Sequence, residues 1–387
     1  MVSYSNRVIL YLFIISSGII NFSFVPNTKL SISFYILALI ILFIPKEIFN
    51  KIRFDVSDII FLIFLFVISL GGIGDIDLKN ITQPMNFVIF WVYFKIVQGY
   101  FLSIRLNRNQ LLEVFYYCVS ILAIISLIMF AVSFPFPNVI RSLITVFNNA
   151  NAFDLGGISI GREVTIPRNT GLSPEPSFWS SLIALNIAVF YELKKKNVHY
   201  FLFLANFSAL LFTFGRTGYF VFIAVSIATI VLRFPFTVRF FLFLLILAVA
   251  PSVYIIVEEY LSGDLSAIQR FDSLFFAVEM WQESPIFGHG LGSFERISLE
   301  HGKDYRDVFS LYFNILYSGG IIGLMLFILY IYAVLKKVFL PISLSILTLF
   351  LVMPAYNLTF VWVLLAINSI DRNKLYVKSN ESASVLN

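Results

Sequence analysis

The chain has 387 residues, of which 59% are hydrophobic and 13% charged, and its formal net charge is +5. A soluble domain carries about 25% charged residues, so this composition excludes an ordinary globular enzyme, and the apolar residues come as long runs rather than as an enlarged core. The basic residues sit in short clusters between those runs, a pattern of membrane topology and not of a nucleic-acid surface; the lone Cys118 excludes an internal disulfide and zinc-type cysteine spacing.

A bilayer core takes about 20 mostly apolar residues per helix. Spans are predicted at residues 8–25, 30–45, 57–73, 85–103, 111–134, 174–192, 198–214, 217–232, 239–257, 308–335, 338–352 and 353–370. The expected fold is an all-α polytopic membrane protein with about twelve transmembrane helices. Residues 1–370 form one transmembrane domain, and 371–387 are a polar tail expected to be disordered. Arg7 opens the first run with no small-residue cleavage site before the next, so no cleavable signal is expected. Pro341 and Pro354 interrupt the last apolar stretch, where a re-entrant segment is the alternative to a full span.

Orientation follows from Lys and Arg in the short loops. With the N-terminus inside, the cytoplasmic segments hold Arg7; Lys46, Lys51 and Arg53; Arg105 and Arg108; Lys194, Lys195 and Lys196; Arg233 and Arg239; Lys336 and Lys337; and Arg372, Lys374 and Lys378. The short outer loops hold only Lys29, Lys79 and Arg216. Both termini are therefore expected in the cytoplasm. Two long loops, 135–173 and 258–307, fall on the outer side, and loops of that length are usually functional or disordered. Both contain aromatic residues, Pro and Gly, which argues for structure. In the second, Ile268, Phe271, Leu274, Phe275 and Val278 recur at helical spacing opposite Arg270, Asp272, Glu279 and Gln282. This predicts an amphipathic helix on the outer membrane–water boundary. The chain shows no internal repeat of the transporter kind.

There is no Walker loop, HExxH, CxxC or Asp-rich metal motif, so neither ATP hydrolysis nor a metal or other cofactor is expected. Gly157-Ile158-Ser159-Ile160-Gly161 matches the G-x-S-x-G elbow, but the elbow needs a strand before it and a helix after it. Gly288, Gly290 and Gly292 read as a turn for the same want of a strand–helix frame.

The stronger signal is a set of outer arginines. Arg162 and Arg168 end the first long loop, Arg216 sits in Gly215-Arg216-Thr217-Gly218, Arg270 lies on the amphipathic helix, and Arg296 and Arg306 follow. Arginine's planar fork suits phosphate oxygens, so these residues are candidate ligands of a pyrophosphate group. The alternative is local pairing with Glu163, Glu175, Asp272 or Glu279, or snorkelling. Pro174 and Pro176 place Glu175 at the start of the sixth span, as a first-turn acid or as an acid facing a cavity. His301, Asp304 and Asp307 in the second loop are further candidate bases. His199 reads as structural, and Lys95 as a functional intramembrane charge or a snorkelling one without a nameable partner.

Four stretches together resemble the O-antigen polymerase and ligase superfamily. They are Arg168-Asn-Thr-Gly-Leu-Ser-Pro-Glu-Pro-Ser entering a helix, Gly215-Arg-Thr-Gly between two helices, Ser284-Pro-Ile-Phe-Gly-His-Gly-Leu-Gly-Ser-Phe closing the amphipathic segment, and Gly320-Ile-Ile-Gly starting a late helix. The resemblance implies a multi-pass glycosyltransferase of the bacterial inner membrane with a periplasmic active site. It implies a donor and an acceptor glycan on undecaprenyl pyrophosphate, membrane lipid as surroundings, a chain-length regulator as protein partner, and no cofactor or nucleic acid. It assigns Arg216 and Arg168 to the pyrophosphate, with Arg270 and Arg162 as further candidates, and leaves the base open among His301, Asp304, Asp307 and Glu175. Ligases resemble one another in a His-Asn pair just before the late helix, where this chain has Phe309-Ser310. That departure favours the polymerase over the ligase. A lipid-linked oligosaccharide flippase is the rival of another class, with the missing repeats and the one-sided long loops against it.

Overall fold

A computed structural model describes residues 4–370 apart from 20–30, 53, 72–77, 105, 137–157, 161–163, 167, 174, 194–196, 232–233, 236, 240–264 and 337. Arg162, most of the first long loop, the predicted ninth span beyond Arg239 and the tail after 370 lie outside the described residues.

The helices are α1 (Tyr4–Gly18), α2 (Ile32–Phe43), α3 (Pro45–Phe49), α4 (Val56–Leu70), α5 (Leu78–Ser103), α6 (Arg108–Ser133), α7 (Pro176–Glu192), α8 (Asn197–Thr213), α9 (Arg216–Val231), α10 (Leu265–Glu283), α11 (Phe294–Glu300), α12 (Leu311–Leu335), α13 (Leu340–Val352) and α14 (Thr359–Ser369). Every predicted span except the ninth coincides with one of them. Lys79–Ser103, Arg108–Ser133 and Leu311–Leu335 are long and apolar enough to cross a membrane, and shorter apolar helices of 10–17 residues accompany them. The architecture is that of an all-α protein consistent with a polytopic membrane protein. Pro341 stands in the first turn of α13, and Pro354 precedes a 3-10 turn (Ala355–Asn357), so the last apolar stretch is two helices with a break between them.

Two helices form the centre. Residues 179–190 of α7 and 359–368 of α14 are buried on every side, as expected for helices apolar around their whole circumference. α7 packs on α6, α8, α9 and α13, and α14 on α1, α5 and α6. The α7–α9 crossing is close because both partners are small. Gly218 N–H donates to Ser180 Oγ at 3.1 Å, and a methyl group on Gly218 would lie 2.3 Å from Ser180 Cβ. Small residues at a crossing let helix backbones approach.

The helix ends sort onto two faces. At one, Arg108 on α6 pairs with Glu192 on α7 and donates from Nε to Asn368 on α14 at 2.9 Å. Gln98 on α5 donates to Ser369 at 2.9 Å, and His199 on α8 meets Tyr117 and Glu113 on α6 at 3.1 and 3.6 Å. Lys95 has a partner after all: its ammonium lies 2.6 Å from Asp58 on α4, which also accepts from Trp91 Nε1 at 3.1 Å. Arg108, placed in a cytoplasmic loop by sequence, is thus the first residue of a helix and is buried among its partners. In the middle of the bundle, Asn206 donates to Ser120 at 2.7 Å and Asn186 donates to Asn206 at 3.0 Å, tying α6, α7 and α8.

At the opposite face lie the start of α7, the α8–α9 turn, α10, α11 and the start of α12. Two features there go beyond what the sequence led one to expect. Ile158–Ile160 and Val164–Ile166 form an antiparallel two-stranded hairpin with Ser159 opposite Thr165. Ser159 therefore sits inside a hairpin strand and not in a strand-to-helix elbow. The amphipathic helix α10 is present, but the stripe that packs on the protein is Ser273, Phe276, Ala277 and Met280. The predicted stripe keeps Phe271 and Phe275 exposed. Small Ser273 and Ala277 let α10 lie close against α12, so the helix is apolar on two sides and the shorter side chains decide which one docks.

Candidate functional site

The first group of candidates gathers where two helices begin. Glu175 caps α7 and Arg216 is the first residue of α9. The two starts adjoin: a methyl group on Gly215 would lie 3.0 Å from the Pro176 carbonyl and 2.5 Å from Ser180 Oγ. Two helix N-termini side by side present the positive ends of two dipoles. Arg216 and Glu175 are both exposed there. The Glu175 carboxylate accepts from Ser177 Oγ at 2.9 Å.

Arg168 reaches the same region through its neighbour. Asn169 is buried, its N–H donates to the Phe212 carbonyl at 2.8 Å, its Nδ2 donates to Ser126 Oγ at 3.2 Å, and its Oδ1 accepts from Gly171 N–H at 3.1 Å. This clamp fixes residues 168–173 against the end of α8, next to the turn that carries Arg216. Gly171 has φ +56°, and any side chain there would run into the Trp179 indole. Among the described residues, the half-buried Arg168 has no hydrogen-bond partner at Nε, and the buried Trp179 has none at Nε1. Unpartnered buried donors call for an acceptor from outside the described protein.

The second group surrounds the start of α12. The Arg270 guanidinium lies over the Phe309 ring at 4.9 Å. Asp307 is exposed and within electrostatic reach of the Tyr356 hydroxyl. Burial and the Asp272 carboxylate push the Tyr305 hydroxyl above its usual range, which places the 301–307 loop beside α10. His301 is exposed, with Nδ1 at 2.8 Å from the Ile297 carbonyl and its ring edge-on to Phe276. Asp304 is exposed in the same loop. The two groups flank residues 353–356: Met353 Sδ accepts from Ser181 on α7 at 3.5 Å, and Tyr356 faces Asp307. The described contacts of His301 belong to the α10–α11 layer and not to the first group.

The Gly288, Gly290 and Gly292 run is a turn, as its lack of a strand–helix frame predicts. It docks on α4, α5 and α12: Leu291 N–H donates to the Ile68 carbonyl at 2.9 Å, and a methyl group on Gly292 would lie 2.4 Å from the Lys79 carbonyl. Lys79 pairs with Glu295 beside it. Ser310, at the cap of α12, is fully buried with its hydroxyl unpartnered. Sequence reasoning gave no role of their own to Asn169, Trp179 and Ser310. Asn169 had a signal, an Asn directly before Thr-Gly, a pattern that favours a side-chain-bonded turn; the other two carry none. Among the described residues, no group of three or more His, Cys, Asp and Glu side chains is placed to hold a metal ion.

Residues 201–328 match a family model described as O-antigen ligase. No curated protein matches the chain. The matched segment, less than half of the chain, is similar to that family; it contains Arg216, Arg270, His301, Asp304 and Asp307, and it starts after Arg168 and Glu175.

Proposed function

We propose that this chain is an O-antigen polymerase, within a family of enzymes that transfer sugar chains in polysaccharide synthesis. It spans the bacterial inner membrane about twelve times with both termini in the cytoplasm. In this orientation the face bearing Arg216 opens to the periplasm. The observation that carries the reading is the meeting of the α7 and α9 N-termini with Arg216 and Arg168 beside them. That arrangement suits a pyrophosphate, which needs charge and N–H donors and no carboxylate-rich metal cage.

The donor is a glycan on undecaprenyl pyrophosphate, and the acceptor is a second lipid-linked repeat. The acceptor hydroxyl oxygen bonds to the donor's anomeric carbon while the bond from that carbon to the pyrophosphate oxygen breaks. Charge developing on the pyrophosphate is stabilised by Arg216 and Arg168, with Arg270 as a further cation. The leaving group is already a good one, so the reaction runs without a metal or nucleotide. The hydroxyl proton passes to Asp307, the exposed carboxylate nearest the helix start that follows the long loop. Glu175, at the positive end of the α7 dipole, orients the arginine and the acceptor. His301 is tied to the Ile297 carbonyl. Phe309-Ser310, in place of the ligases' His-Asn pair, supports polymerase over ligase.

Deleting the gene and resolving the lipopolysaccharide on a gel tests this. A polymerase mutant leaves core plus a single repeat. Core alone makes the protein a ligase, and an unchanged ladder removes both readings.

A further inference from the structure

α12 is broken, and the break is filled by another part of the chain. Gly320 has φ 60° and ψ −161°, far from helical values. In an unbroken helix, Ile321 N–H would donate to the Tyr317 carbonyl and Ile322 N–H to the Ser318 carbonyl. Here neither pair forms, yet none of these four groups is left unsatisfied. His289 N–H donates to the Tyr317 carbonyl at 2.9 Å, and Gly290 N–H to the Ser318 carbonyl at 2.8 Å. Ile321 N–H donates to the Pro285 carbonyl at 2.9 Å, and Ile322 N–H to the Ile286 carbonyl at 3.4 Å. Residues 285–290 thus act as a strap that takes over both ends of two severed helical bonds.

The fit leaves no room for side chains on either partner. A methyl group on Gly320 would lie 2.2 Å from the Ile286 carbonyl oxygen, and one on Gly288 2.5 Å from the Tyr317 carbonyl oxygen. Gly288 has φ +68°, so both positions also need a backbone region that L side chains rarely adopt. The strap is the direct continuation of α10, whose Phe271 and Phe275 are exposed. His289 adds a side-chain tie, with Nε2 2.7 Å from the Met280 carbonyl near the end of α10.

The bond inventory points to two states of one helix. If the strap withdraws, Tyr317, Ser318, Ile321 and Ile322 can close on one another, and α12 loses no hydrogen bond. The strap's groups, near the solvent-facing end of the bundle, can be taken up by water or headgroups. We propose that α12 is a two-state helix. With the strap docked, it is kinked at Gly320 and its outer segment, residues 311–319, is held in the site. With the strap released, it runs through continuously. The strap positions that outer segment, and the 301–310 loop joined to it, by way of α10. This inference goes beyond the proposed chemistry and does not depend on it.

The test is hydrogen–deuterium exchange of the full chain in lipid nanodiscs, read at His289 and Gly290 on the strap and at Ile321 and Ile322 on the helix. A releasing strap predicts that the 289 and 290 amides exchange faster than those of 321 and 322 in the unaltered protein. Helix closure covers the latter pair while the strap is out. Equal rates would overturn the proposal, because the strap and the break would then open as one unit. Gly320→Ala should remove protection at 289 and 290 and keep it at 321 and 322. Gly288→Ala attacks the same fit from the strap side, leaving the α12 sequence unchanged, and should give the same split. Protection retained at 289 and 290 in a folded variant, or lost at all four amides, also overturns it. If neither variant folds, the rate comparison in the unaltered protein decides.

Discussion

The two ends of the bundle use charge in opposite ways. At the end of Lys95 and Arg108, the charges are buried and matched: side-chain exposures are 6% and 1% for Lys95 and Asp58, and 2% and 8% for Arg108 and Glu192. At the other end, Arg216, Glu175, His301, Asp304 and Asp307 are exposed. A buried charge is tolerable only when paired and hydrogen-bonded, so the first set is bound up in joining α4 to α5 and α6 to α7 and α14. An exposed charge adds little to stability, so the second set does not join the helices in the way the first does. One end holds the helices together through buried pairs, and the other carries its charges at the surface.

The sharpest way to break this contrast is to unpair the buried set. Lys95→Met should cost about 3–5 kcal/mol, because it strands the Asp58 carboxylate in the bundle. The double change with Asp58→Leu should recover most of that. Thermal unfolding in detergent measures both, and a double variant as unstable as the single one would show that the pair is not the unit.

At the opposite end, Arg216→Ala should reduce chain extension about 10²–10³-fold, the range for losing one donor to developing charge, with the unfolding midpoint unchanged. Arg216→Lys should restore it in part, since an ammonium keeps the charge but loses the planar fork. A fall in the midpoint matching that of Lys95→Met would erase the distinction between the two ends.

Within the exposed set, Asp307→Asn should lower the transfer rate about 10²-fold, the lower range for a general base. His301→Ala should leave it within a few-fold, and reversed effects would hand the base role to His301. The smallest effect is expected at the α4 cap. Burial pushes the Asp55 carboxyl up, but the Ser57 hydroxyl, Lys95 and the Ser57 and Asp58 N–H groups outweigh it and hold it below its usual range. A depressed carboxyl stabilises the fold above its unfolded value and loses that contribution as pH falls through the folded one. Asp55→Ala should therefore cost about 1 kcal/mol at neutral pH and progressively less in acid. A pH-independent loss would remove the carboxylate from the account.

Much of this was legible in the chain. Apolar runs long enough to fill a bilayer, separated by basic clusters, marked the long apolar helices of the bundle but not the short α3, which packs on α5 through the buried Ile48. The flanking glycines of Arg216 announced a close crossing, and Pro174-Glu175-Pro176 announced a helix start. The Gly288–Gly292 run read correctly as a turn, but nothing local showed where it docks. The helix α10 was legible, but the side that docks on the protein was not, because a stripe of large apolar side chains and a stripe containing Ser273 and Ala277 are both helical in period. Only the neighbour selects between them.

The sequence by itself determined the local matters, since hydrophobic length, proline and glycine placement and the family motifs act over a few residues. It determined the long apolar helices and several of their starts. Only the tertiary structure decided the pairings between residues far apart in the chain. Lys95 finds Asp58 across two helices, Asn169 anchors Arg168 beside Arg216, and residues 285–290 complete the broken α12. Such pairings depend on which surfaces meet, and a backbone carbonyl or N–H that accepts a distant partner carries no mark in the sequence.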